Sequence, residues 1–554
     1  MSRDNDRAFF GHPKGLSTLF FTEMWERLSY YGMRAFLIIY MVTEVKKGGR
    51  GMSDVDAGLV MALYTSSVYL LSLPGGWIAD AYLGQRRAVT VGAIGIMLGN
   101  GMLAVPIDGI FYPGLAMIAL GTGLLKPNIS TIVGQLYTAE DPRRDSGYTI
   151  YYMGINIGAF IAPLICGFLA QSDTFQLFLA NNGIDPRWCW NFAFAAPAIG
   201  MALGLVWYTF GQKALGEAGL YPAPVVTDPA TIALTRQLRQ KVLPAVLGTI
   251  GFVVAAIVAY LVLSMDGMVW ETTIGKKVGN IFGIGLAGIA VALFLALLLA
   301  ARDTGERKRI VAMIPLFIGA IGFFGVFEQA SSTLSLFAER LTSRDWLGLN
   351  LEASYLQAAN SVFVITLAPV FAWLWIKLVR ANKEPSSVTK FGIGMVFTAL
   401  SFVIMIPTLS TVAQLGPDPA LAPDGEKVNA TYLITLYLFA TCAELCISPV
   451  GLSSMSKLAP ARMAGMVMGT WFLATAIGNY LAGRAAGFSA SRGYSFLFYT
   501  LIISSLVIAA ALFAIAPIIK KMMASQDRTT GPADKSEKAE PEPLPTAKAR
   551  KKDD

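Results

Sequence analysis

Four ionisable residues stand within one apolar stretch near the start of the chain: Glu23, Glu26, Arg27 and Arg34, in FFTEMWERLSYYGMRAF. Inside a membrane-spanning helix such a group costs about 2.5 to 3.5 kcal/mol on insertion scales, so each needs a partner, a wet cavity or a task. At 3.6 residues per turn Glu23, Arg27 and Arg34 share one stripe, with Glu26 at its edge. Three further apolar stretches hold one charge each: Lys126 in GTGLLKPNIS, Glu328 in FFGVFEQASS and Glu444 in ATCAELCISPVG. One buried pair could simply hold two helices together. Charges of both signs, spread over four helices in both halves of the chain, predict a central cavity whose charges lock one side or the other by exchanging partners. Pro127, next to Lys126, is expected to loosen the local backbone bonding. Tyr30, Tyr31, Tyr64, Tyr69, Tyr151, Tyr152 and Asn156 fall in the same half. Some of these aromatics are expected to pack or to anchor at the membrane interface. A tyrosine and asparagine set beside arginine and lysine also suits a polar pocket for a ligand that is anionic at one end at least.

The elements that must position these residues are transmembrane helices. Of 554 residues 55% are apolar and 14% charged, and the mean hydropathy is +0.55; soluble proteins carry about 25% charged residues. Crossing a hydrocarbon core takes about 20 residues per helix. Stretches of that length centre on residues 19–43, 55–80, 87–107, 110–138, 147–171 and 190–211, then 242–264 and 280–300, then 309–338, 351–379, 390–408, 430–457, 462–486 and 495–521. The 6 + 2 + 6 pattern predicts an all-α polytopic membrane protein of 14 helices: two six-helix bundles (19–211 and 309–521) and a linker with an extra transmembrane hairpin (212–308), expected to be peripheral. Residues 1–18 form a short N-terminal segment. Residues 522–554, rich in Lys, Glu, Pro and Ala, read as a disordered tail. Two related halves facing one midplane site is the architecture of secondary transporters.

Lysine and arginine favour cytoplasmic loops. With the N-terminus inside, those loops hold the richer set, including Arg86, Arg87, Arg143, Arg144, Arg307, Lys308, Arg309, Lys377, Arg380 and Lys383, so both termini are expected in the cytoplasm of a cell with an inner membrane. The net charge of +8 is largely this bias plus the basic tail and does not indicate nucleic acid. The stretch at 19–43 is longer than a signal-peptide core. Cys166, Cys189, Cys442 and Cys446 lack metal-ligand spacing, and only Cys189 reads as exposed to the outside. No nucleophile–base pair or phosphate loop is apparent, so neither enzyme chemistry nor ATP-driven transport is expected. His12, the only histidine, reads as part of a cytoplasmic turn. GGWIADAYLGQRRAV, from Gly75, combines paired glycines for close helix approach, Asp80 at a helix end and a basic turn at Gly84, Arg86 and Arg87.

Taken together, these residues resemble the proton-dependent oligopeptide transporter (POT/PTR) family of the major facilitator superfamily, as a bacterial member. The resemblance runs from GHPKGL at 11–16 to the last helix. It rests on E-x-x-E-R (Glu23, Glu26, Arg27) leading into SYYG, GGWIAD, GTGLLKPN, YYMGINIGA at 151–159, FEQ at 327–329 and AELCISPVGLS at 443–453. Leu28 departs from the family's usual Phe, an apolar change that leaves the charges intact. The extra hairpin is typical of prokaryotic members. The resemblance implies that Arg27 and Lys126 hold a peptide carboxylate, with Tyr31 and Tyr69 nearby. It implies further that Glu444, Asn156 and Asn360 hold the amino terminus, that Ser448 and Trp471 shape the pocket, that Arg34 and Glu328 form an outer gate, and that Lys126 with Glu444 acts in closing the inner side.

The expected function is proton-coupled import of di- and tripeptides by alternating access, with no cofactor besides the coupling proton, in a protein working as a monomer among membrane lipids. Glu328 is the expected main proton carrier, because protonation would free Arg34; Glu23 and Glu26 are alternative or additional sites. Another small solute, such as nitrate or an amino acid, is the alternative cargo for the same scaffold. A purely anionic cargo would leave Glu444 facing nothing cationic. A receptor that keeps the fold without transport is a third possibility, and it predicts no solute uptake.

Overall fold

The computed structural model describes residues 7–138, 141, 143–222, 240, 244, 247, 248, 274–415, 423–458 and 463–527. A spanning segment must satisfy its own backbone N–H and C=O groups, and the chain does so almost entirely with helices. The first half comprises α1 (Lys14–Val42), α2 (Asp54–Leu70), α3 (Ser72–Ile78), α4 (Gln85–Ala104), α5 (Phe111–Gln135), α6 (Arg144–Gln171), the short α7 (Asp173–Asn181) and α8 (Cys189–Gly211). After α9 (Ile274–Ala300) the second half holds α10 (Thr304–Phe327), α11 (Thr333–Leu341), α12 (Ala358–Arg380), α13 (Ser387–Val403), α14 (Thr408–Gln414), α15 (Thr431–Leu458) and α16 (Ala464–Asp527). Among the described residues eleven segments are long and apolar enough to cross a membrane. Helix α1, with its four charges, and the second arm of α16, which turns back at Gly493, bring the described crossings to thirteen. The expected fourteenth, 242–264, lies outside the described residues. Helix α16 runs six residues past the tail boundary drawn at 521.

Helix α1 packs on α6 and α8, and α4 on α5 and α8; in the second half α16 packs on α10 and α13, and α13 on α15. The halves meet along two seams, α2 with α16 and α6 with α12. Glycine permits the first seam: a Cβ on Gly58 would come within 2.6 Å of the Gly483 carbonyl oxygen. The end of the bundle at Val42 is called distal below, and the end at Lys14 basal.

Two breaks carry the site. Pro74 lacks an N–H and its ring crowds the carbonyl four residues back, so α2 ends at Leu70 and α3 starts at Ser72, next to Tyr69. Helix α10 stops at Phe327, and Glu328–Ser331 forms a 3-10 turn before α11 resumes the course, which sets Glu328 at the break in the spanning segment. The expected loosening at Pro127 is not a break, for α5 continues through it, and Ser130 and Thr131 hydroxyls donate to the Pro127 carbonyl at 3.1 and 2.8 Å.

The motif from Gly75 is clarified. A Cβ on Gly75 would collide with the Gly123 carbonyl of α5, whereas one on Gly76 would meet Pro127 at an ordinary 3.7 Å, so only the first glycine of the pair is sterically required. Gly84 turns the chain at φ +75°. Arg86 is buried, and its Nε donates to the Ala218 carbonyl at 2.7 Å, which ties the segment after α8 to this loop. At the same basal end His12 is 6% exposed, with Nδ1 2.9 Å from the Tyr137 hydroxyl, and Arg143 donates to the Gly11 carbonyl at 3.3 Å. Cys189, expected at the surface, is 2% exposed within the distal core, and all four cysteines are free.

Candidate transport site

Helices α1, α5, α6, α10, α11, α12, α13 and α15 enclose a cavity of about 260 Å³ between the halves. Seven intramembrane charges from four helices were expected to converge, and six line it: Glu23, Arg27, Arg34, Lys126, Glu328 and Glu444. Glu26, the seventh, is fully buried beside them. Tyr31, Asn156, Asn360 and Ser448 also line it.

The first half supplies a cationic wall. Arg27 is 3% exposed and its Nε lies 3.1 Å from Glu23 Oε1, with Glu26 in contact at the same nitrogen. Glu23 is held further by the Tyr151 hydroxyl, which donates to Oε2 at 2.7 Å. Arg27 Nη2 is buried and donates no hydrogen bond among the described residues, so the guanidinium keeps capacity for an acceptor in the cavity. Its Cζ sits 6.0 Å from the centroid of the Tyr31 ring, and Lys126 Nζ lies 3.9 Å above the centroid of Tyr69. Tyr69 is therefore a platform for Lys126 behind the lining. A guanidinium with a spare donor beside an ammonium held over an aromatic face suits a carboxylate, which the planar fork of an arginine can grip bidentately.

The second half supplies an anionic wall. Asn360 Nδ2 donates to Glu444 Oε2 at 3.2 Å and to Thr441 Oγ1 at 2.9 Å, one turn away on α15. This leaves Glu444 Oε1 as an acceptor suited to an ammonium. Asn156, across the cavity, donates to the Tyr152 carbonyl at 3.0 Å and keeps its side-chain oxygen. Trp471, implied as a pocket residue, is 5% exposed and stands one layer behind the lining, its ring centroid 5.7 Å from that of Phe324. The remaining wall is apolar, with Phe323, Phe327, Leu334, Phe402 and Leu436 among the lining residues.

The distal side is sealed. Arg34 pairs with Glu328, and both are nearly inaccessible. The same nitrogen donates to Ser331 Oγ at 2.6 Å. Gln357 donates to the Ala35 carbonyl at 3.2 Å, and Arg340 grips Asp54 with two bonds of 2.7 and 2.9 Å. Gln171 donates to Glu339 at 2.6 Å. Lys126 and Glu444 do not pair with each other, so the contact implied for closing the other side is absent while the distal side is shut. Sequence reasoning missed Ser331, Gln357, Thr441 and the Asp54–Arg340 pair. A polar residue three positions from a charge in an apolar helix was the available signal for Ser331 and Thr441. The others lie at element ends, where polarity is ordinary.

A sequence model of the POT family matches residues 86–496. The chain is 38% identical to the uncharacterized transporter YclF of Bacillus subtilis (strain 168), over 93% of this chain and 96% of the relative. It is 33% identical to the di-/tripeptide transporter of Lactococcus lactis subsp. lactis, over 93% and 98% of the two chains. Among solved structures, that of a peptide transporter POT in complex with sulfate superposes with a TM-score of 0.75 at 37% identity, over 94% of this chain and 99% of that one.

Proposed function

This chain belongs to the POT family, and from that premise we propose that it imports di- and tripeptides together with protons by alternating access. The family consists of transporters rather than enzymes, and the chain is a multi-pass membrane protein. The proposal takes the distal face as outer and both termini as cytoplasmic, in the inner membrane, with the protein acting as a monomer among lipids and using no cofactor besides the proton.

The observation that carries the reading is the opposition of charge across one cavity: Arg27 and Lys126 on one wall, Glu444 with Asn360 on the other. A short peptide is a zwitterion whose termini are separated by its length, about 3.5 Å per residue. Arg27 and Lys126 receive its carboxylate. Glu444, Asn360 and Asn156 receive its ammonium, and the apolar lining receives its side chains. Nitrate satisfies only the first wall.

Coupling follows from the gate. A proton on Glu328 cancels its charge and releases Arg34, so the outer side opens when protonated. Bound peptide then competes for Arg27, and Glu23 and Glu26 are left as the second place where a proton can balance charge. Closing of the outer side returns Arg34 to Glu328 and expels the proton inward, while engagement of Lys126 with Glu444 closes the inner side on the next turn. In proteoliposomes with an acidic exterior, labelled dialanine should accumulate above its external concentration, and a protonophore should reduce it to the equilibrated level. Accumulation that survives the protonophore would refute proton coupling.

A further inference from the structure

Beyond the central site, the outer seal contains a charge cluster that the transport cycle above does not use. Glu352, just before the 3-10 turn that leads into α12, is 3% exposed, and its Oε2 has no hydrogen bond among the described residues. Arg344 Nη1 lies 3.6 Å from that oxygen and 4.0 Å from Asp173 Oδ2, and its Nη2 lies 3.6 Å from Glu339 Oε1. These separations exceed hydrogen-bond length, so one guanidinium is shared loosely by three carboxylates. Both halves contribute: Asp173 starts α7, while Glu339, Arg344 and Glu352 belong to α11 and the connection to α12. Gln171 clamps the cluster by donating to Glu339 at 2.6 Å and accepting from the Ser354 N–H at 3.2 Å. Tyr355 and Asp424 also face it, and Glu44, Lys46, Lys47, Asp185, Arg187 and Arg340 line the outer cavity that it shares with Asp173, Glu339 and Arg344.

We propose that Glu352 is a proton-loaded lock of the outer seal, taking a proton from the exterior as the two halves close and returning it to the exterior as they part. The inference rests on the transport reading only for which face is outer. In the closed arrangement burial first, and then Glu339 and Asp173, push the Glu352 carboxyl above its ordinary range, while Arg344 opposes them. Parting of the halves withdraws Asp173 and Gln171 and admits water, so the proton affinity falls. The state with the higher proton affinity is the one that acid stabilises. Acid outside therefore favours closure at this cluster, opposite to a simple Arg344–Glu352 ion pair, which acid would weaken. No proton crosses the membrane here, because uptake and release occur on the same side. The lock biases the cycle toward outer closure when the exterior is acidic.

The test measures the outer opening directly, on the full chain in lipid nanodiscs without peptide. Spin labels on Asn182→Cys and Leu349→Cys, with the native cysteines replaced, report the distance between the halves by pulsed electron resonance. Both positions are exposed and outside the cluster. A Glu328→Gln background removes titration of the Arg34 pair. The population with the short, closed distance should rise as pH is lowered from about 8 to about 5, through and above the usual carboxylate range. Adding Glu352→Gln, which mimics the protonated form, should give the closed distance at both ends of that range. Arg344→Gln should move the closing transition to higher pH. Opening of Glu352→Gln at every pH, or an unchanged pH profile, would overturn the proposal. Because no substrate or gradient is involved, failure of proton-driven peptide uptake would not mimic either result.

Discussion

Arg34 reaches from the first half of the molecule to Glu328 in the second, and the same nitrogen that makes this ion pair donates to Ser331 at 2.6 Å. The serine gives the guanidinium a resting partner when the carboxylate is neutral, so protonation can loosen the gate without leaving a buried cation bare. Glu328→Gln keeps the shape and removes both charge and exchangeable proton. Uphill accumulation of dialanine should fall to the equilibrated level, while exchange of internal for external peptide, which requires binding but no net coupling, should persist. Uphill accumulation by this variant would transfer the proton role to Glu23 or Glu26.

Arg27 has an unspent buried donor, and Lys126 rests on Tyr69. Replacing Arg27 by Lys retains charge but loses the fork. Hydrogen bonds to charged groups are worth about 1.5 to 3 kcal/mol, and 1.4 kcal/mol is tenfold in affinity. The half-saturating dialanine concentration should rise about tenfold or more. Dialanine amide, which has no carboxylate, should compete equally well in the variant and the parent.

Thr441 orients Asn360 toward Glu444. Thr441→Val removes one bond of about 0.5 to 1.5 kcal/mol, and dialanine affinity should weaken by about twofold to tenfold. Glu444→Gln should cost more and should narrow the preference for dialanine over its N-acetyl derivative in competition uptake. A retained preference would move the amine site elsewhere in the cavity.

Gly75 and Gly76 look equivalent in sequence and differ in their surroundings. Gly75→Ala drives a methyl into the Gly123 carbonyl and should lower stability by about 1 to 3 kcal/mol, the usual cost of overpacking. Gly76→Ala meets open van der Waals contact and should leave the thermal unfolding midpoint of the purified protein nearly unchanged.

His12 couples the N-terminal segment to Tyr137. Burial, then Arg143, lowers its pKa below the ordinary 6.5, and Asp141 only partly offsets this. A lowered histidine pKa favours the neutral form in the attached state, so attachment is complete above 6.5 and weakens as pH falls through that value. Protection of the amides from Phe9 to Gly15, measured relative to their intrinsic exchange rates at each pH, should drop below about pH 6.5, and His12→Asn should remove that drop.

The intramembrane charges were legible because the membrane makes them expensive, and six of the seven line the cavity. Helix number was legible from length and apolarity, apart from 242–264, which lies outside the described residues. The partners of those charges were not legible. Lys126 lies over Tyr69 and does not pair with Glu444 while the distal side is shut, a choice of partner that residue type and spacing leave open. Trp471 illustrates a different limit: a large ring near a pocket motif can line the pocket or support the layer behind it, and only the course of α15 and α16 decides. The Asp54–Arg340 and Arg344 contacts join residues whose sequence surroundings carry no sign of a partner.

The proposed obligatory coupling of peptide to proton is tested most directly in reverse. Proteoliposomes containing the protein and an internal pH dye, with equal pH on both sides, receive an external pulse of dialanine. Coupled import predicts an immediate internal acidification that scales with the peptide gradient, is absent with nitrate, and is lost in Glu328→Gln. Entry of labelled dialanine without any change in internal pH would contradict it.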